Sequence, residues 1–461
     1  MVKFPAVRYG ASLVVSLFLF TSIRAADGND VVVTTTAYGA MEAGQISQGY
    51  YYRALTERAE PISQVWQQRA IGNVGFNALI KNRLTINFTG EGLMAFSSPQ
   101  NAKWPQTLQP RQFFYVKSAW ASYPFGNVEA PFITLQAGFF QYKYNPDARN
   151  LGEYLFRSNA YPLVIYSSFD YPMADIFGLR VHVRRDNLLL ENSRLENDLI
   201  LHSELLGVPV QDWSVSDIMS FSLDGVVTVG AGASFSRFFS VYKGVYPSTT
   251  TDPYFYPANL PEVEKQDFYI RDTVPGGDSV LFDWKAIKLM ARVSFDAKKV
   301  VFYDRFGRED LKFYVESDLI GTKNYPQFFT KRSDRILTTF GLNLPAFGYV
   351  DLANIELEYC PNKSAFSDGR LYGYEQLNIG NVVPLDSFTT GGYYNIKRSP
   401  WRWSVYLKKS FLEGHVSFIA QCARDHKKLN FYYFDMAYMS FIETLQTKKD
   451  WWWSLKTEFK F

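Results

Sequence analysis

The sequence predicts an all-β fold: one transmembrane antiparallel β-barrel of about sixteen strands. Three observations predict it. Short segments that alternate apolar and polar residues recur along almost the whole chain, and successive side chains of a strand point to opposite faces. Tyr, Phe and Trp make up 17% of 461 residues, which is high for a water-soluble protein and suits a barrel girdled by aromatics at both membrane interfaces. The connections between segments alternate short and long, as the two rims of such a barrel require.

The last eleven residues carry the pattern most clearly. Trp451, Trp453, Leu455, Thr457, Phe459 and Phe461 fall on one face; Trp452, Ser454, Lys456, Glu458 and Lys460 fall on the other. Their number suits a tilted strand crossing a bilayer. The chain begins differently. Lys3 and Arg8 precede a short apolar run from Ala11 to Phe20, and Ala25 is a plausible last residue before cleavage. Residues 1–25 therefore read as a secretory signal peptide, too short in their apolar run to span a membrane as a helix. Residues 26–461 form the barrel with its loops and turns. Removing the signal takes away three bases and no acid, leaving 45 bases against 45 acids. A neutral mature chain argues against nucleic acid as a partner.

In order, Asp30 to Glu42 reads as a strand and residues 43–65 as a polar connection containing Tyr50, Tyr51 and Tyr52. Val74 to Ile80 and Leu84 to Phe96 form a hairpin around Lys81-Asn82. Gln112 to Tyr123 pairs with Phe132 to Tyr144. Ala174 to Arg184 follows, then segments at 194–205, 212–222 and 226–240. In the second half, strands are expected at 287–295, 311–319, 335–344, 352–360, 401–408 and 416–422, before the final one. Short connections fall near 81–82, 124–131, 185–193, 223–225, 345–351 and 411–414. Long ones fall near 43–65, 97–111, 145–173, 241–284, 361–400 and 425–450. The connection at 296–310 is long on the short side. This parity puts both ends of the barrel on the short-turn side. Cys360 and Cys422, the only cysteines, are expected two strands apart on opposite faces of the wall, unbridged.

The signal peptide, the alternating strands, the loop rhythm and the terminal Phe461 together resemble the β-barrels of the Gram-negative outer membrane, and sixteen strands resemble the general porins among them. The resemblance is architectural and covers nearly the whole mature chain. It implies residence in the outer membrane, contact with its lipid, delivery to the barrel-assembly machinery through the strand ending in Phe461, and trimers as a common assembly. It implies passive diffusion of small hydrophilic solutes or ions, with no cofactor, and a third long loop that folds into the lumen. That loop is residues 145–173 here. Asp147, Arg149, Glu153 and Arg157 are the candidates for the constriction. The acidic signature segment of the enterobacterial porins is absent.

The polar face of the strands should line the lumen. It carries Lys117, Arg180, His182, Lys288, Arg292, Lys312, Glu316, Asp318, Arg402, Lys408, Lys456 and Glu458. Nine basic or potentially basic groups against three acids predict a mild anion preference, since fixed charges set ion preference in pores. The rival function is a plugged or narrow barrel whose aromatic loops (Tyr242, Tyr246, Tyr254 to Tyr256 and Phe431 to Phe434) bind surface carbohydrate or act in adhesion. Those rings, with Trp451 to Trp453, otherwise belong to the interfacial aromatic belt. Catalysis finds little support: Arg424-Asp425-His426 has no partner serine, and no paired-histidine or Gly-rich motif occurs. Gly230 and Gly232 lie in a strand, where they relieve packing.

Overall fold

Among the described residues eighteen strands form, and sixteen of them close on themselves. They are β1 (Val31–Arg53), β2 (Arg58–Ile80), β3 (Leu84–Pro99), β4 (Arg111–Gly126), β5 (Pro131–Tyr142), β6 (Ala174–Asp186), β7 (Ser193–Ser203), β8 (Trp213–Leu223), β9 (Val227–Phe239), β10 (Tyr269–Thr273), β11 (Ser279–Asp283), β12 (Ala286–Asp296), β13 (Lys312–Leu319), β14 (Ile336–Asn343), β15 (Leu352–Tyr359), β16 (Trp401–Phe411), β17 (Val416–Arg424) and β18 (Trp451–Lys460). The computed structural model describes residues 31–53, 58–99, 111–156, 173–188, 190–203, 213–239, 269–273, 279–283, 286–301, 305–322, 332–361, 399–427 and 444–461.

Each barrel strand pairs antiparallel with its sequence neighbour, β9 with β12, and β1 closes against β18. Closure runs in register from Tyr38 opposite Lys460 to Ile46 opposite Trp452. Beyond it, Phe461 and Ala37 exchange both backbone hydrogen bonds at 2.9 Å. A closed wall leaves no unpaired edge, the condition for crossing a bilayer with strands.

The faces separate as the alternation predicts. On β18, Leu455 points outward and is 58% exposed, while Ser454, Lys456 and Glu458 are buried inside. Val293, Val315, Phe340, Leu357, Leu407 and Phe418 continue the apolar outer belt. The short connections are tight. At Lys81-Asn82 and Asp224-Gly225 both central residues have positive φ. The next residue donates back to close the turn, Arg83 to Ile80 at 3.0 Å and Val226 to Leu223 at 2.9 Å. These are primed turns, whose twist matches that of the flanking strands.

Three readings of the sequence are corrected. Residues 43–65 are not a loop: β1 and β2 stay paired through them, out to Arg53 opposite Arg58. Polar residues on both faces, Gln67 inward and Gln45, Gln48 and Ser63 outward, do not end these strands, whose backbones stay paired through them. Second, the connection 241–284 holds a separate two-stranded hairpin, β10–β11. Third, Trp452 does not join the interfacial belt. It is 1% exposed, faces inward against Ile46, Val65, Ala423 and Leu445, and donates its indole N–H to Asp425 Oδ1 at 2.9 Å.

Cys360 is buried and Cys422 half-buried, and no disulfide joins them. Cys422 shares the outward parity of Phe418 on β17. The long connection on the short-turn side, residues 297–311, packs on its neighbour. Phe306 stacks on Phe347 at 5.7 Å, and Asp310 accepts the N–H of Gly307 at 2.8 Å and of Phe347 at 3.0 Å.

Candidate functional site: a finger across the lumen

Residues 143–156 leave β5 and fold into the barrel instead of capping it. β15 is eight strands from β5 in either direction around the ring of sixteen, and the finger reaches it. Asn145-Pro146-Asp147 starts the turn: Asn145 Oδ1 accepts the Asp147 N–H at 3.3 Å, the local bond that makes Asn a turn former. At the tip, Asp147 Oδ1 lies 2.9 Å from Lys312 Nζ, and Ser294 donates to Asp147 Oδ2 at 2.6 Å. Lys312 opens β13 at the short-turn rim, so the finger descends most of the barrel's height. Burial raises the Asp147 carboxyl, but Lys312, Ser294 and Arg292 outweigh it, and the group is held below the usual carboxylate range.

The return limb runs along β15. Glu356 accepts three successive backbone N–H groups, from Arg149, Asn150 (2.8 Å) and Leu151 (2.9 Å). Consecutive amides aimed at one carboxylate form an anion-binding concavity of the backbone. Tyr314 also donates to Glu356, at 2.6 Å. Its ring crosses β14 over Gly341, where a Cβ would overlap the ring atoms. Glu358 accepts from Tyr154 and lies 2.6 Å from His426 Nε2. Gly152 and Glu153 both have positive φ, which turns the chain back. Glu153 is fully buried and accepts the N–H of Tyr144 and Asn145. Its own N–H, the Tyr144 hydroxyl (2.9 Å) and the Asn145 amide all donate to Glu316. Burial first, and then the nearby Glu316, raises the Glu153 carboxyl to about 8. Leu155 and Phe156 then join Tyr142, Ile176, Ile200, Ile218 and Met290 in an apolar cluster against the near wall.

Of the constriction candidates, Asp147, Arg149 and Glu153 lie on this finger; Arg157 lies outside the described residues. Arg149 adds an ion pair with Glu309 at 3.7 Å, which ties the tip to the connection 297–311. The wall candidates all face inward, and nearly all are engaged. Lys117 pairs with Glu91. Arg180 and His182 both bond Asp198, at 2.7 and 2.8 Å. Lys288 donates to the Tyr154 carbonyl at 3.2 Å, and Arg402 to the Ser399 carbonyl at 2.7 Å. Lys408 and Lys456 share Glu458 at 3.5 and 2.8 Å. Asp318 Oδ1 accepts from Tyr144 at 3.4 Å. Arg292 folds over Gly230, whose added Cβ would lie 2.8 Å from its Nε, and its Nε and Nη1 have no hydrogen-bond partner.

Wall acids that the sequence reading did not single out include Glu42, Glu91, Asp198, Asp296, Glu356 and Glu358. Glu356 and Glu358 stood in plain alternation in Ile355-Glu356-Leu357-Glu358-Tyr359. The acids at Glu42, Glu91 and Asp198 pair with wall bases. With these acids added, and Arg69 opposite Glu42 added to the bases, the described inward face is more evenly charged than the twelve residues expected from sequence. Among those residues, no group of His, Cys, Asp and Glu side chains is placed to hold a metal ion. The aromatic loop residues at 242–256 and 431–434 lie outside the described residues.

No family model matches the sequence, and no curated protein matches it. Among solved structures, the chain is similar to a mutant of the Rh. blastica porin at 9% identity and a TM-score of 0.41, over 93% of this chain and 100% of that one. It is also similar to Pseudomonas putida OprB at 8% identity and a TM-score of 0.45, over 93% and 94%. The closed sixteen-strand antiparallel barrel has the porin-like architecture that the sequence predicts.

Proposed function

We propose that the protein is a diffusion channel of the Gram-negative outer membrane, in which the finger 143–156 narrows a water-filled lumen and sieves small hydrophilic solutes. The observation that carries this is the finger's docking on the wall opposite its origin. Exposure supports a passage on one side of it. Glu316, Glu356 and Glu358, under the finger, are 0% exposed. Lys117, on β4, and Lys408, on β16, keep 27% and 26% of their side chains exposed inside the barrel. The finger thus covers β13–β15, while Lys117 and Lys408, on strands outside that stretch, keep part of their side chains accessible.

The same reading takes residues 1–25 as the export signal and the strand ending in Phe461 as the element handed to the assembly machinery. Support for a channel over an enzyme from the histidines rests on His202, since His182 and His426 do each bond a carboxylate, Asp198 and Glu358. His202 bonds Ser216 at 2.9 Å, but its Nδ1 has no partner. It therefore lacks the orienting acid that nucleophilic catalysis requires. The test is conductance of the refolded protein in a planar bilayer. Stable aqueous steps are expected. A folded barrel that passes no current would favour the rival reading, a plugged barrel, which the full burial of residues 150–156 would then explain.

A further inference from the structure

Arg292 departs from the rest of the lumen wall. Every other wall residue read from the sequence is held by a hydrogen bond or an ion pair within the protein. Arg292 is 6% exposed, and its Nε and Nη1 are buried without a hydrogen-bond partner. Arginine keeps its charge in proteins, and a buried charge left unpaired is costly. The acids around it are engaged elsewhere. Glu316, directly opposite on β13, accepts from Tyr144, Asn145 and the Glu153 amide. Asp147 takes Lys312 and Ser294, although Arg292 is near enough to help hold it ionised. The arginine side chain instead lies across Gly230 of β9, the residue in register with it. Beyond Gly230 comes Ser220 of β8. One step nearer the short-turn rim, Thr228 donates to Ser222 at 3.1 Å. The wall is therefore recessed beside the arginine, and Ser220, Ser222 and Thr228 stay only half-buried.

We propose that Arg292 and this recess of β8 and β9 bind the carboxylate of a small organic acid. A guanidinium fork matches a carboxylate with two parallel N–H···O bonds, and Ser220 offers a hydroxyl donor from the next strand but one. One guanidinium supplies one positive charge. The carboxylates of Asp147 and Glu316 beside it repel a second negative charge on the ligand, so a monoanion fits better than a phosphate dianion. Gly230 makes the arrangement possible. A Cβ there would lie 2.8 Å from the Arg292 Nε and 2.9 Å from its Cγ, and the side chain would have to leave the recess. The site needs only the folded barrel. It binds its ligand whether or not the lumen conducts, so it stands or falls apart from the channel reading.

The test uses the full-length mature chain refolded in detergent micelles, with acetate as the probe and saturation-transfer NMR as the readout. Saturable acetate binding is expected in the wild type. Arg292→Met, Arg292→Lys, which keeps the charge without the fork, and Gly230→Ala are each expected to weaken it by at least about tenfold. Inorganic phosphate should compete more weakly than acetate itself. Urea unfolding separates this role from a structural one. Without acetate, removal of an unpaired buried charge should leave the midpoint of Arg292→Met at or above that of the wild type. Acetate should raise the midpoint of the wild type and not that of Arg292→Met. No saturable binding in the wild type, equal binding by Arg292→Met, phosphate preferred over acetate, or a lowered midpoint of Arg292→Met without acetate would each overturn the proposal.

Discussion

Asp147 and Lys312 are 165 positions apart in sequence and 2.9 Å apart in space. One sits at the tip of a finger that starts at the long-loop end; the other opens β13 at the short-turn rim. This pair pins the finger across the lumen. Removing one partner of a largely buried pair leaves the other charge uncompensated, so Asp147→Asn or Lys312→Met is expected to weaken docking by about 1–3 kcal/mol. Single-channel conductance should rise in either variant. The swap Asp147→Lys with Lys312→Asp should recover part of the wild-type value.

Glu356 offers a second hold, independent of charge pairing. A glutamine there places an NH2 where either the Arg149 amide and Tyr314 hydroxyl, or the Asn150 and Leu151 amides, now donate. Hydrogen bonds to a charged acceptor contribute about 1.5–3 kcal/mol each. Glu356→Gln is expected to speed hydrogen exchange at residues 149–151 by at least about tenfold, while the strand amides of β15 stay protected.

Docking should depend on pH in opposite senses through two carboxyls. Asp147 is held below its ordinary value, so its contribution is present above the unfolded carboxyl pKa of about 4 and is lost as pH falls through the folded value. Glu153 is raised to about 8, so the docked state favours its neutral form. That contribution is full below the unfolded pKa of about 4.3 and fades as pH rises toward 8. Conductance is therefore expected to be lowest in mildly acidic solution and to climb on both sides. Glu153→Gln should flatten the alkaline limb and Asp147→Asn the acid limb. A profile unchanged by either substitution would contradict the assignment.

The three adjacent tryptophans should separate by face. Trp452 fills an inner cluster and bonds Asp425, so Trp452→Ala is expected to cost about 3–5 kcal/mol. Trp451→Ala, on the outer face, should cost far less. Unfolding in urea, followed by the heat-modifiable migration of the barrel on gels, measures both.

The barrel was legible in the sequence because its signal is local. Alternation in β12, β13, β16, β17 and β18 fixes both the strands and the side each residue faces. The failures have local causes too. Polar residues on both faces hid the outer halves of β1 and β2, and five-residue strands left β10 and β11 without a period to detect. Sequence also marked Asp147, Arg149 and Glu153 as finger residues, from their spacing and the resemblance. What holds them could not be read. Asn150 meets Asp425 across 275 positions and Tyr144 meets Glu316 across 172, and no local pattern encodes a contact across a lumen. Trp452 shows the same limit: its parity was plain, but its packing against Ile46 and Val65 depends on closure.

Single-channel conductance of the refolded protein, compared with a variant in which residues 146–153 are replaced by a short Gly-Ser link, tests the central claim most directly. The account predicts stable ion-conducting steps in the wild type and larger steps in the variant, with both folded as barrels. Equal conductance in the two would show that the finger does not set the bore, and no current in either would contradict the channel itself.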